Sequence, residues 1–205
     1  QATVSVMTHA LNYGTGVFGG MRGYWNEDEE QLFVFRPLDH FERFLQSAAL
    51  MRMTFDYTPE DLFTFLRELL QAEGYHENCY IRPLAYKSTE AIGVRLHDLE
   101  SDITIFAIPF GSYLPDDDAG SHVGFSAWRR IDDNAIPARG KIAGAYANSA
   151  LIKTDAMLAG YDEALVLNND GHVSEASAAN LFIVRKGVAI TPPVTSNILE
   201  GIVRS

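Results

Sequence analysis

Apolar and polar positions alternate along this chain in two rhythms, and the changes of rhythm mark its elements. Residues 4–11 and 20–25 carry the period of two expected of strands, around the glycine-rich turn Tyr13–Gly20. QLFVFR, 31–36, reads as a further strand. PLDHFERFLQSAALMRM then switches to helical spacing through Phe41, Phe44, Leu45 and Ala48, with Pro37 suited to the first turn. The next helix has both ends marked. Thr58 can cap it, Pro59 takes the first position, Asp61 sits in the first turn and Gly74 can end it. Its apolar stripe is Leu62, Phe65, Leu66 and Leu69. Strands are predicted at 78–87 and 103–110. A polar, turn-rich segment, PDDDAGS, follows at 115–121. Beyond it come a strand at 122–128, an irregular segment, a helix over 148–159, and three short strands separated by the turns NNDG and RKG. The final ILEGIVRS reads as the start of a helix.

This order gives an α+β chain of two domains: a small N-terminal α/β domain over 1–113, an interdomain loop over 114–121, and a larger domain over 122–205. Both ends fall inside predicted elements, so the chain reads as truncated at each. The 205 residues are 47% hydrophobic, enough for a real core. The net charge of -11 argues against a nucleic-acid surface, which needs an excess of Lys and Arg. No run of about 18 apolar residues marks a membrane span. The single cysteine, Cys79, excludes an intrachain disulfide and fits a reducing, cytoplasmic setting. The six histidines are scattered, and no His, Cys, Asp and Glu cluster has metal-ligand spacing.

Two segments carry candidate chemistry. GTGVFGG matches G-x-G-x-x-G through Gly14, Gly16 and Gly19. A dinucleotide fold would follow that turn with a helix, whereas MRGYW reads as a strand. A tight turn bringing backbone near a ligand is the better reading; a non-catalytic nucleotide-binding protein using Gly14–Gly20 is the rival it leaves. The second segment is KIAGAYANS. Lys141 is followed by an uncharged stretch, with Tyr146 five positions on and Glu175 in VSEASAANLF. A lysine in such surroundings can form a Schiff base with the carbonyl of pyridoxal phosphate (PLP), and a glutamate can hold a proton on that ring's nitrogen. Lys87, Lys153 and Lys186 compete for the role, and the residues alone leave a structural lysine the simpler reading of each.

Seven ordered blocks change that balance. HALNYGTGVFGGMRGY, FRPLDHFERFLQSA, YIRPLAY, FGSYL, ARGKIAGAYANS, GYDEALVLNNDGHVSEASAANLF and TPPVTSNILEGI together resemble the branched-chain amino acid aminotransferases. These belong to class IV, with the two-domain fold-type IV, D-amino acid aminotransferase-like architecture. The resemblance implies that Lys141 carries PLP and shuttles the reaction's proton. Tyr146 would bond the cofactor's phenolic oxygen, and Glu175 its ring nitrogen. Arg43 would hold the phosphate. In LEGIV, Leu199 would pack on the ring, and Gly201 with the backbone N–H groups of Ile202 and Val203 would receive the phosphate. Val203 departs from a frequent threonine, and Gly19 from a frequently acidic position.

The resemblance also implies a pocket of Tyr13, Phe18, Arg22, Tyr80, Arg82 and Tyr113 for branched-chain L-amino acids (Leu, Ile, Val). Arg82, helped by Tyr113 or Arg22, would take the extra carboxylate of 2-oxoglutarate. It further implies a homodimer or larger homo-oligomer with its active site at the subunit interface, no metal, and a ping-pong mechanism. D-amino acid aminotransferase, (R)-amine transaminase and aminodeoxychorismate lyase share the fold and are the nearest rivals.

Overall fold

The computed structural model of the chain describes residues 3–111 and 120–205. It divides into one unit of Gln1–Gly111 with Gly140–Gly144 and another of Ser112–Arg139 with Ala145–Ser205. Of the expected interdomain loop, residues 114–119 lie outside the described residues.

The first unit begins differently from the strand expected over 4–11. His9–Tyr13 is a short helix, α1. Local polar contacts curl the chain here. Asn12 Nδ2 donates to Thr8 O at 3.0 Å. The fully buried His9 lies 2.7 Å from Gly93 O through Nε2 and 2.7 Å from Thr15 Oγ1 through Nδ1. A carbonyl only accepts, so Nε2 carries the proton and Nδ1 accepts from the hydroxyl. Gly14 ends α1 with φ 65°, and a Cβ there would stand 2.9 Å from Gly144 Cα, so both conformation and space call for glycine.

Within the expected glycine turn lies a strand, β1 (Gly16–Phe18); β2 (Met21–Asn26) and β3 (Gln31–Val34) follow. The two helices match the pattern that predicts them. α2 (Pro37–Leu50) has Pro at its start and buries Phe41, Phe44 and Ala48. α3 (Pro59–Glu73) has the Thr58–Asp61 capping box and ends at Gly74 in the left-handed region. It buries Leu62 and Leu66, while Phe65 is exposed and meets the edge of the Tyr57 ring.

β4 (Cys79–Lys87) is the strand that organises the sheet. It pairs antiparallel along its whole length with β5 (Ser101–Pro109). Its other edge takes β2 and then β1 in turn, and β3 pairs with β2. Pro83 sits mid-strand and has no N–H to give. Its carbonyl accepts from Gly19 at 2.8 Å, so its missing donor faces the break between β1 and β2, where no ladder bond is lost.

The second unit is a parallel crossover. β6 (Val123–Arg129) leads through α4 (Tyr146–Leu158) to the parallel β7 (Glu163–Leu167), against which β8 (Val173–Ala176) runs antiparallel. Ile152 and Ala156 of α4 bury against Ala164 and Val166 of β7. The middle of the three expected strands is broken in two, because Ala176 N–H turns to Ala179 O at 2.9 Å. Its second part, β9 (Ile183–Arg185), forms a hairpin with β10 (Val188–Ile190). Lys186 and Gly187 both have positive φ, the requirement of a type I′ turn. Where ILEGIVRS reads as the start of a helix, the chain makes a turn at 202–204, with Ser205 N–H donating to Gly201 O at 3.2 Å, the i to i−4 bond of a helical turn. Among the described residues, no helix is long and apolar enough to cross a membrane.

Candidate active site

In the first unit, Lys141 lies in Gly140–Gly144, which packs here and not within the 122–205 domain expected to hold it. Backbone pairing draws it in. Ile142 bridges Val17, Lys141 O accepts from Phe18 N–H at 3.0 Å, and Gly144 N–H donates to Gly14 O at 3.1 Å. Lys141 N–H also donates to Ser47 Oγ at 3.1 Å, and that hydroxyl donates to Arg43 O at 2.8 Å. The lysine is thereby pinned to the α2 turn that carries Arg43.

Its ammonium nitrogen stands 5.0 Å from the centre of the Phe18 ring. The Arg82 guanidinium lies 4.6 Å from the same ring centre and 5.0 Å from that of Tyr80, whose hydroxyl accepts from Arg82 Nη2 at 2.9 Å. Four of the predicted residues thus share one cluster: Lys141, Phe18, Arg82 and Tyr80. Arg82 Nε–H is buried with no partner among the described residues. Tyr13 and Arg22 have partners elsewhere in the unit. Tyr13 accepts from Gly93 N–H at 3.0 Å and packs on the His9 ring, while Arg22 donates to Gly111 O at 2.7 Å. Tyr113 lies outside the described residues.

His40, on the same helix as Arg43, feels the charges of Arg43 and Lys141, though nothing in its sequence marks it. Burial, then the positive charges of Arg43 and Lys141, push its pKa down to about 4. It is therefore neutral at pH 7 beside two cations. The competing lysines have other work. Lys87 is buried and donates to Arg52 O at 2.8 Å and Leu99 O at 3.4 Å, and burial pulls its pKa down. Lys153, expected to be solvated, pairs with Glu163 at 3.2 Å in half-buried surroundings.

In the second unit, Glu175 lies on β8 and is 3% exposed. A carboxylate so deep must be paired. Arg130 Nη2 meets Oε1 at 2.8 Å, and Oε2 accepts from Leu199 N–H at 3.2 Å and Asn180 Nδ2 at 3.4 Å. Asn180 Nδ2 also donates to Leu199 O at 2.9 Å. Glu175 and Leu199, predicted separately, are therefore one network. A Cβ on Gly201 would fall 1.9 Å from Asn180 Oδ1, so the same asparagine presses on the glycine of LEGIV. Tyr146 opens α4, and Ile202 and Val203 lie in the 202–204 turn.

Residues 16–205 match the model of the family described as amino-transferase class IV. The chain belongs to this family.

Over its whole length the chain is 45% identical to a protein of Aquifex aeolicus named a probable branched-chain-amino-acid aminotransferase, and it spans 66% of that relative's length. Its backbone matches the branched-chain aminotransferase of Thermoproteus uzoniensis, solved with norvaline, at TM-score 0.93 and 44% identity, covering 98% of this chain and 67% of that one. The enzyme of Thermobaculum terrenum in its PLP form matches at TM-score 0.91 and 38% identity, covering 99% and 66%. Arg130 and Asn180 belong to the Glu175 network although the sequence alone does not single them out. Arg130 is one of two adjacent arginines at a strand end, and Asn180 stands in a turn-rich run; neither position carries a signal.

Proposed function

We propose that this chain is the greater part of a PLP-dependent transaminase that moves the amino group of branched-chain L-amino acids to 2-oxoglutarate. Two observations, one in each unit, support the reading. Lys141 sits on the Phe18 ring and is tied through Ser47 to the α2 turn that carries Arg43, and Glu175 is a buried carboxylate fixed by Arg130. The donor set fits the cofactor: an amine for its aldehyde, a guanidinium for its phosphate, and an anion for its ring nitrogen. Arg43, Tyr146, Glu175, Leu199, Gly201 and the backbone of Ile202 and Val203 would hold it. When bound, PLP supplies the electron sink and carries the amino group between half-reactions.

The chain's own residues do the rest. Lys141 Nζ, free once substrate is bound, would take the proton from the substrate Cα and hold it for return. Glu175 would face the ring nitrogen as an anion and so favour its protonated form. Phe18 and Tyr80 bury an aliphatic side chain, at about 25 cal/mol per Å² of apolar surface. Arg82 Nε–H, without a partner among the described residues, and Tyr80 Oη beside the guanidinium would provide donors for the second carboxylate of 2-oxoglutarate. The names of the relatives favour the branched-chain reading over the D-amino acid, (R)-amine and lyase alternatives.

Half-reactions of the intact protein with L-leucine, D-alanine and (R)-1-phenylethylamine test the substrate class. L-leucine is expected to convert fastest, and Lys141→Ala is expected to abolish conversion. Conversion of another donor without L-leucine sinks the substrate reading, and full activity in Lys141→Ala sinks the mechanism. The reading includes a cytoplasmic homodimer or larger homo-oligomer, which sedimentation of the intact protein checks.

A further inference from the structure

The Arg130 guanidinium is built into the second unit from several sides. It follows β6, where its backbone N–H donates to Leu167 O at 2.9 Å. Nη2 meets Glu175 Oε1 at 2.8 Å, with the two side chains 8% and 5% exposed. Nε reaches Asn197 O at 3.3 Å, and Nη1 reaches Ser149 Oγ of α4 at 3.4 Å. These contacts use different edges of the planar fork, so the guanidinium is held by a strand end, a helix and a loop at once. Its link to Glu175 is the charged one.

A carboxylate this deep, left alone, takes up a proton and becomes neutral. A proton shared between a carboxylate and a pyridine nitrogen rests on the more basic of the two. A fixed cation on one carboxylate oxygen lowers the basicity of the whole group and leaves the proton to the ring. Resting on the PLP reading above, we propose that Arg130 is a positioning residue for the reaction: it holds Glu175 ionised and aimed, so that the shared proton resides on the cofactor's ring nitrogen. Asn180, which bonds both Glu175 and Leu199, fixes the other oxygen in the same frame.

The test uses the intact protein loaded with PLP carrying ¹⁵N in its ring, with the nitrogen shift read at pH 8. Wild type is expected to show a protonated ring. Arg130→Gln removes the charge and is expected to move the signal toward the unprotonated position. Its kcat for L-leucine is expected to fall about ten- to a hundredfold, the usual range when a supporting partner is removed, with little change in KM. Arg130→Lys keeps a charge without the fork and is expected to lie between. A purely structural arginine would alter stability without moving the ring-nitrogen signal. If wild type shows a protonated ring and the variants match it, the assignment falls while the PLP reading stands. If wild type takes up no PLP, that reading falls and the assignment with it. Should Arg130→Gln not fold, Arg130→Lys decides alone: a shift indistinguishable from wild type overturns the assignment.

Discussion

His40 shows how a single residue can record its neighbours. Burial and the charges of Arg43 and Lys141 depress its pKa from 6.5 to about 4. The unfolded chain therefore binds a proton in that interval that the folded chain does not. Stability falls as pH drops from about 6.5 toward 4, by roughly 3 kcal/mol at most, and the loss levels off below. Urea unfolding of protein without added cofactor, at pH 7 and pH 4.5, measures this. His40→Gln is expected to flatten that part of the profile; an unchanged slope would assign it to other groups. None of this was legible beforehand, since a lone histidine in HFERF is indistinguishable from a solvated one. Lys141 and Glu175 were legible because they stand in long ordered blocks, whereas Arg130 pairs with Glu175 across 45 positions of sequence. Gly201 offers a second residue-scale prediction. In Gly201→Ala the new methyl group must displace Asn180, which is held by Glu175 and Leu199 O. The lost bonds cost roughly 1–3 kcal/mol. PLP retention of the variant, followed by dialysis and absorbance, is expected to weaken accordingly, and retention equal to wild type would contradict the geometry.

Elements were read well where their ends are written chemically. α3 is the clearest: Thr58 Oγ1 accepts from Asp61 N–H at 3.1 Å, and Asp61 Oδ2 accepts from Thr58 N–H at 2.9 Å. Thr58→Ala is expected to cost about 1 kcal/mol in equilibrium unfolding, with no effect on the lysine cluster. The Thr58 backbone N–H, then its hydroxyl, hold the Asp61 carboxyl below the usual range. That share of the cap is present above the ordinary aspartate pKa and is lost as pH falls through the depressed one. The difference between Thr58→Ala and wild type should therefore narrow in acid. Elements were misread where polar side chains bend an alternating pattern. The 4–11 segment alternates like a strand, yet the bonds of His9 and Asn12 curl it into α1. VSEASAANLF likewise carries strand residues on both sides of a backbone turn that only the Ala176–Ala179 bond reveals. The grouping of Lys141 with the first unit is illegible for a related reason: its flanking backbone bonds run to Gly14, Val17 and Phe18, more than a hundred positions earlier, and no local pattern records them.

At the scale of the whole molecule, stability is expected to be uneven, and burial says where. β4 is bonded on both edges, and Cys79, Ile81 and Ala85 on it are fully buried. The β9–β10 hairpin is the opposite case. All six of its strand residues are exposed, with Val184 at 76% and Val188 at 59%, and among the described residues its two strands pair only with each other. A two-stranded ribbon in water is marginal even with a favourable turn. Local opening follows few buried contacts and many solvated bonds. Hydrogen exchange of the 205-residue chain should thus find the amides of Ile183–Arg185 and Val188–Ile190 exchanging orders of magnitude faster than those of Ile81 and Ala85. The same measurement on the intact protein adds a comparison. The chain spans 66% of its Aquifex relative, so further chain or a second copy has the opportunity to cover those valines and isoleucines. Protection of the hairpin rising toward that of β4 in the intact protein would show that this apolar ribbon is an interior surface there. Equal, fast exchange in both would make it a free surface, held by its own ladder and its Lys186–Gly187 turn.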